Sequence, residues 1–171
     1  MLEIGTLARA DANFAEPKLI PPKQRPNGTS IRRTGELDLA GASRVLGTRA
    51  LWAGPEIDGL KLAAVQQLEI TTGYERDSGV PPRITTGVEL VYGEVQRRHP
   101  TANSLVIMES TAPLLFWWPR PGPTPEGYLA YTFSAGHMRV GGVNVALMRY
   151  RFSEGIDSIL VAAARRLTPV P

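Results

Sequence analysis

Proton transfer near neutral pH needs a histidine, or a carboxyl group whose pKa has been moved by its surroundings. This chain offers few of either in a suggestive position. Its two histidines are His99, between Arg97-Arg98 and Pro100, and His137, in Ser134-Ala135-Gly136-His137. A general base also needs a partner that orients it within hydrogen-bond reach. Neither local sequence supplies one, so the plain reading of each is an exposed histidine in a loop or near a hairpin end. Glu109-Ser110-Thr111 lies where a strand should end, a place from which a functional side chain could emerge. Ser110 lacks the flanking glycines of a nucleophile elbow, and a strand-end carboxylate ordinarily bonds a neighbouring loop. An enzyme reading therefore requires a small hydrolase or isomerase whose pocket brings Glu109 together with His137 or His99.

Other chemistries find less support. With no cysteine there is no thiolate nucleophile, no Cys-based zinc or iron–sulfur site and no disulfide framework. Asp77-Ser78-Gly79 lacks the run of oxygen ligands that calcium needs. Gly136-His137-Met138-Arg139-Val140-Gly141-Gly142 has neither the glycine spacing nor the Lys-Ser/Thr pair of a phosphate loop. No metal and no cofactor is expected.

The residues best suited to recognition are Phe116-Trp117-Trp118, followed by Pro119-Arg120-Pro121-Gly122-Pro123. Successive strand residues point to opposite faces, so Trp117 shares no face with its two neighbours. At least one large ring must then be covered by a loop, a helix, a ligand or a partner chain. Trp and Tyr anchor interfaces and line apolar pockets, which makes Phe116, Trp117, Trp118 and Tyr128 the candidate binding residues, for a protein partner or an apolar small molecule. Coverage by the Pro-rich loop or by the last helix is the structural alternative.

The elements that must position these groups are readable from periodicity. Leu37, Ala40, Val45 and Leu46 suit a short helix ended by Gly47. Arg49–Ala53 reads as a strand leading into the turn Trp52-Ala53-Gly54-Pro55. From Leu60 the even positions Leu62, Ala64, Leu68, Ile70, Thr72 and Tyr74 alternate with polar residues, as in a long half-buried strand. Gln66 falls on that apolar face and needs either a partner or a bulge that turns it out. Val88, Leu90 and Tyr92 mark the next strand, and Ser104–Met108 a central one covered on both faces. Tyr128–Phe133 and Val143–Phe152 complete the strands, with Gly141-Gly142 as a two-residue hairpin turn. Ile156, Ile159, Leu160, Ala163 and Leu167 form one helical stripe. Ser153 is the expected cap, Glu154 and Asp157 fall in the first turn and Arg165 and Arg166 in the last.

A chain of 171 residues fits one domain and can bury a sizeable core. Its 17 Gly and 15 Pro favour turns and short strands. The net charge is +3, and residues 1–35 account for it, with six basic side chains (Arg9, Lys18, Lys23, Arg25, Arg32, Arg33) against three acidic ones. The remainder is balanced, which gives no reason to expect nucleic-acid binding. Proline-rich residues 1–35 are expected to form a basic flexible arm, and residues 36–171 the folded domain. Met1–Ala10 lacks the apolar core of a signal peptide, and the apolar runs Leu114–Trp118 and Ile159–Ala164 are too short to span a bilayer.

The Trp52-Ala53-Gly54-Pro55 turn, Gly73-Tyr74, Leu90-Val91-Tyr92-Gly93 and the closing Leu160-Val161-Ala162-Ala163-Ala164-Arg165-Arg166-Leu167 with Pro169 together resemble a group of uncharacterised actinobacterial cell-envelope proteins, usually exported proteins or lipoproteins. The resemblance covers about residues 37–169. It implies an envelope or extracellular location and carries no functional residues. The chain differs from that group in showing no signal peptide and no lipid-attachment cysteine.

The expected fold is α+β: an antiparallel sheet of about six or seven strands, with a short helix before it and an amphipathic C-terminal helix packed on it. The expected function is a non-catalytic binding module that uses the Phe116–Trp118 region. The alternatives are the hydrolase or isomerase above and a carrier with an apolar cavity between helix and sheet.

Overall fold

The alternation that begins at Leu60 becomes the frame of the molecule. The computed structural model describes residues 5–8, 26–74, 79, 81–97, 99–112, 114, 128–131, 135–149 and 157–171, with residues 5–8, 26–29, 74 and 128–131 described by their backbone. The chain runs through β1 (Gly5–Ala8), β2 (Pro26–Glu36), α1 (Leu39–Leu46), β3 (Leu51–Trp52), β4 (Glu56–Ile57), β5 (Leu60–Tyr74) and β6 (Arg83–Tyr92). It continues through β7 (Val95–Gln96), β8 (His99–Pro100), β9 (Leu105–Ser110), β10 (Tyr128–Tyr131), β11 (Ala135–Val140), β12 (Val143–Arg149), α2 (Ser158–Arg166) and β13 (Thr168–Pro169).

The main sheet has nine strands, eight of them in the order β1-β10-β11-β12-β9-β6-β5-β2, while β4 pairs with β5 off that path. Every pairing in it is antiparallel. Strands β10, β11 and β12 form a meander, and β12 returns beside β9, which is Greek-key order. The α+β class holds, with two helices and an antiparallel sheet among the described residues.

Register assigns the two faces. Val88↔Glu109, Leu90↔Ile107 and Tyr92↔Leu105 lie on one face with Val145 and Leu147. Both helices bury their apolar stripes there, through Ala42 and Leu46 of α1 and Leu160, Ala163 and Ala164 of α2. Val91↔Val106 and Glu89↔Met108 lie on the far face, with Leu68, Ile70, Leu114 and Ala146 in a smaller cluster. All six residues of β9 are buried, as its near-continuous apolar run predicts. Each fully buried Leu or Ile contributes roughly 1.5–3 kcal/mol through the hydrophobic effect.

Three details depart from the sequence reading. First, the expected arm over residues 1–35 does not extend that far: residues 26–36 form β2, paired along β5 from Pro26↔Tyr74 to Glu36↔Gln66. Its inward positions include Ile31 and Arg33, both half-buried, so one of the positions that should announce a strand is charged and the period-two signal is lost. Consequently α1 follows β2 instead of preceding the sheet. Second, β5 carries its bulge at Ala63, between Leu62↔Tyr92 and Ala64↔Val91. The extra residue reverses the alternation, so Leu62 and Val65 face the helices while Ala64, Leu68 and Ile70 face away. Gln66 is therefore not turned out; it stays 2% exposed. Third, α2 begins one residue after Asp157, whose Oδ1 accepts from Ile159 N–H at 2.9 Å as the N-cap. The expected cap Ser153, with Glu154 and Ile156, lies outside the described residues.

Two turns follow the sequence. Gly47 ends α1 at φ +67°, and Gly141 and Gly142 take φ +58° and +80°, the left-handed pair a tight hairpin requires.

Candidate functional site

Two buried polar side chains of the helix face, Tyr92 and Glu109, converge on one short segment of backbone, Ala50–Gly54. Leu51 N–H donates to Glu109 Oε2 at 2.8 Å. Ala53 N–H donates to the Tyr92 hydroxyl at 3.1 Å, and that hydroxyl donates onward to the Gly54 carbonyl at 3.0 Å. The opposite edge of the segment pairs with β13, Trp52 against Thr168 and Leu51 against Pro169, and Val170 N–H donates to Ala50 O at 2.8 Å. The Trp-Ala-Gly-Pro turn is thus a strap across the sheet, and Tyr92 and Glu109 are the pegs that fix it.

Both pegs are fully buried, and their acidities show it. Desolvation pushes Glu109 up to about 8, against the Leu51 hydrogen bond, which favours the charged form. Burial likewise pushes Tyr92 up to about 12; the Ala53 hydrogen bond opposes the rise and the Glu109 charge adds to it. At pH 7 the folded protein therefore holds Glu109 mainly as a neutral acid. Its Oε1 has no hydrogen-bond partner among the described residues. A sealed, neutral carboxyl under an apolar layer can position backbone, but it reaches no substrate.

The far face carries a different polar set. Arg33 grips Glu89 with two parallel bonds, Nε to Oε2 and Nη2 to Oε1, each 2.7 Å. Glu89 is wholly buried and the Arg33 side chain is 17% exposed. Arg33 Nη1 lies 3.2 Å from His99 Nδ1; a guanidinium has no acceptor, so the imidazole nitrogen accepts. His137 stands in the same cross-strand row, which reads Ala130, His137, Ala146, Met108, Glu89, Gln66, Glu36. Its ring Nε2 is buried, and burial lowers His137 to about 4. At neutral pH it is uncharged.

The sequence-predicted site residues therefore separate. Glu109 pairs across strands with Val145, and His137 with Ala146, so the acid and the base point to opposite sides of the sheet. His99 sits with Arg33 on the far face and does not approach Glu109 either. Strand register thus does not bring the acid and either histidine together on one face. His99 itself is exposed in a two-residue ladder, β7 with β8, while His137 lies mid-strand in β11, not near a hairpin end. Phe116, Trp117 and Trp118 lie outside the described residues, and Tyr128 is placed by its backbone as the first residue of β10. Sequence reasoning missed Arg33, Glu89 and Tyr92. The available signal was slight: Glu89 shares a face with the apolar Val91 on a strand whose other face is set by Val88, Leu90 and Tyr92, and only the structure shows that Glu89 is buried.

A surface depression of about 640 Å³ lies between Leu37–Ala40, Leu62–Val65 and Val170–Pro171; it is open, unlike the enclosed cavity a carrier would need. Among the described residues, no group of three or more His, Asp or Glu side chains could hold a metal ion, and no helix is long and apolar enough to cross a membrane. No protein-family model, curated protein or solved structure matches this chain.

Proposed function

We propose that the protein is a non-catalytic binding module that engages a protein partner or an apolar ligand through Phe116, Trp117, Trp118 and Tyr128. The observation that carries the reading is topological. The connection holding these aromatics leaves β9 after Ser110 and enters β10 at Tyr128. Both points lie at the same end of the sheet as the β11–β12 hairpin, because Ser110 pairs with Asn144 and Leu129 with Met138. Asn144 Nδ2 fixes the departure, donating to the carbonyls of Ser110 at 3.4 Å and Thr111 at 3.3 Å. A rigid scaffold presenting a variable connection at one end is a common plan for recognition. The buried acids support the same reading, since Glu89 and Glu109 are committed to Arg33 and to the strap.

The envelope setting rests on the resemblance alone, and fractionation of the producing cells tests it. The binding reading is tested with Trp117→Ala and Trp118→Ala in protein of unchanged circular dichroism. Capture of an envelope-fraction partner, or co-purified apolar ligand seen by native mass spectrometry, should fall at least tenfold. Equal capture by the double variant would refute the assignment.

A further inference from the structure

The strap is held unevenly compared with the sheet beneath it. Strands β6, β9 and β12 are each laddered on both sides, whereas Ala50–Gly54 has a two-residue ladder to β13, one partner of which, Pro169, has no N–H to give. Its remaining hydrogen bonds among the described residues are Val170 N–H to Ala50 O, Ala50 N–H to Ser43 Oγ at 3.0 Å, and those of the two pegs, besides the burial of Ala50, Leu51 and Ala53 in the core. Segments with so few cooperative bonds open locally without unfolding the rest.

The Glu109 peg is also the one whose charge the site cannot accommodate. Its cross-strand neighbours are Val88 and Val145, and α1, α2 and the strap contribute Ala42, Leu46, Leu51, Leu160 and Ala163 to the same layer. The titratable and charged groups described on this face include Tyr92, whose hydroxyl is occupied by Ala53 and Gly54, Arg149, whose Nε is paired with Asp157 Oδ2 at 3.1 Å, and the Arg32–Glu69 pair of β2 and β5; α1 adds Arg44 with Asp38, and α2 adds Arg166 with Asp58. Each of these cations is paired with another acid, and among the described residues none forms a salt bridge to Glu109. A carboxylate there has one N–H donor and a second oxygen with none among the described residues. The cheapest relief for such a charge is water, and water reaches it most readily by displacing the weakly laddered strap.

We propose that Ala50–Gly54 is a latch released by ionisation of Glu109, which uncovers the helix-side surface of β6 and β9. Below the transition the neutral acid costs less in the apolar layer than its anion would, and the strap is shut. Above it the strap and the β13 tail paired to it lift together. With the free carboxyl at 4.5 and the closed one at about 8, opening grows easier across that range and levels off above it, and the Tyr92 peg remains un-ionised throughout.

Residue-resolved amide hydrogen exchange between pH 6 and 9, corrected for each amide's intrinsic rate, decides the matter. The Leu51 and Ala53 amides should lose at least tenfold of their protection across this range, while Ile107 and Leu147 in the strands beneath lose much less. In Glu109→Gln, which keeps the carbonyl acceptor and cannot ionise, strap protection should not change with pH. If strap and sheet amides lose protection together, the strap is no separate unit and the latch is wrong. Constant strap protection in the wild-type protein overturns it equally, and that comparison stands whether or not the variant folds.

Discussion

A carboxyl group that titrates at 4.5 when free and at about 8 when folded ties stability to pH in a definite direction. Between those values the native state keeps a proton that the unfolded chain has released, so raising the pH favours unfolding. One such proton gives a slope of up to about 1.4 kcal/mol per pH unit, beginning near 4.5 and complete above 8. Glu109→Gln removes the ionisation and keeps an acceptor for Leu51 N–H. Its urea midpoint should therefore stay level from pH 6.5 to 8.5 while that of the wild-type protein falls; parallel curves would rule out Glu109 as the source. Tyr92 acts through two hydrogen bonds instead of a charge. Tyr92→Phe leaves the Ala53 N–H and the Gly54 carbonyl without the hydroxyl that satisfies both. The expected loss is about 1–3 kcal/mol, read from denaturant unfolding at pH 7, with the exchange of the Ala53 amide accelerated.

At the scale of elements, β2 is the addition that sequence periodicity hides, and one buried ion pair docks it across β5 onto β6. Glu89 lies within an apolar strand that would reject it without Arg33. Removing one member leaves the other charged and buried, which costs about 3–5 kcal/mol. Arg33→Met should therefore be severe, whereas Arg33→Met with Glu89→Leu should recover most of the loss, since an apolar pair of similar volume is often no worse than the ion pair. A double variant as unstable as the single one would show that Arg33 acts through some other contact. A second constraint joins β6 to β9. A Cβ built on Gly87 would stand 2.7 Å from the Glu109 carbonyl oxygen and 3.1 Å from Ile70 Cδ1. Because the nearer atom is backbone, it cannot swing aside, and Gly87→Ala should lower stability by about 1–3 kcal/mol. Retained stability would mean that the two strands can separate locally.

For the molecule as a whole, the pattern was legible wherever one residue type per face is enough. The α+β class, the central strand Leu105–Ser110, the Gly141-Gly142 hairpin and the stripe of α2 all follow from apolar periodicity or φ-specific residues. Illegible were the features set by partners distant in sequence. These are the strand nature of residues 26–36, which depends on Glu89; the bulge at Ala63, which moves Leu62 off the face it was read to share with Ala64, Gln66 and Leu68; and the faces of Glu109 and His137, which only register determines. Those two faces meet again in the response to pH. His137 titrates at 6.5 when free and at about 4 when folded, so as pH falls through that window the unfolded chain takes up a proton that the native state refuses, and stability is lost on the acid side. Glu109 loses stability on the alkaline side, from 4.5 to about 8. From 4.5 to 6.5 the two slopes oppose each other and nearly cancel, so thermal midpoints should form a plateau there and then decline as pH rises further. His137→Gln removes the acid-side term and should turn the plateau into a steady fall from 4.5 upward. Glu109→Gln should do the reverse, giving a rise to 6.5 and a level stretch beyond. Because the two groups stand on opposite faces of the sheet, the changes should add in the double variant, whose profile should be flat across both windows; a double variant that keeps the wild-type decline above 6.5 would place the titrating group elsewhere.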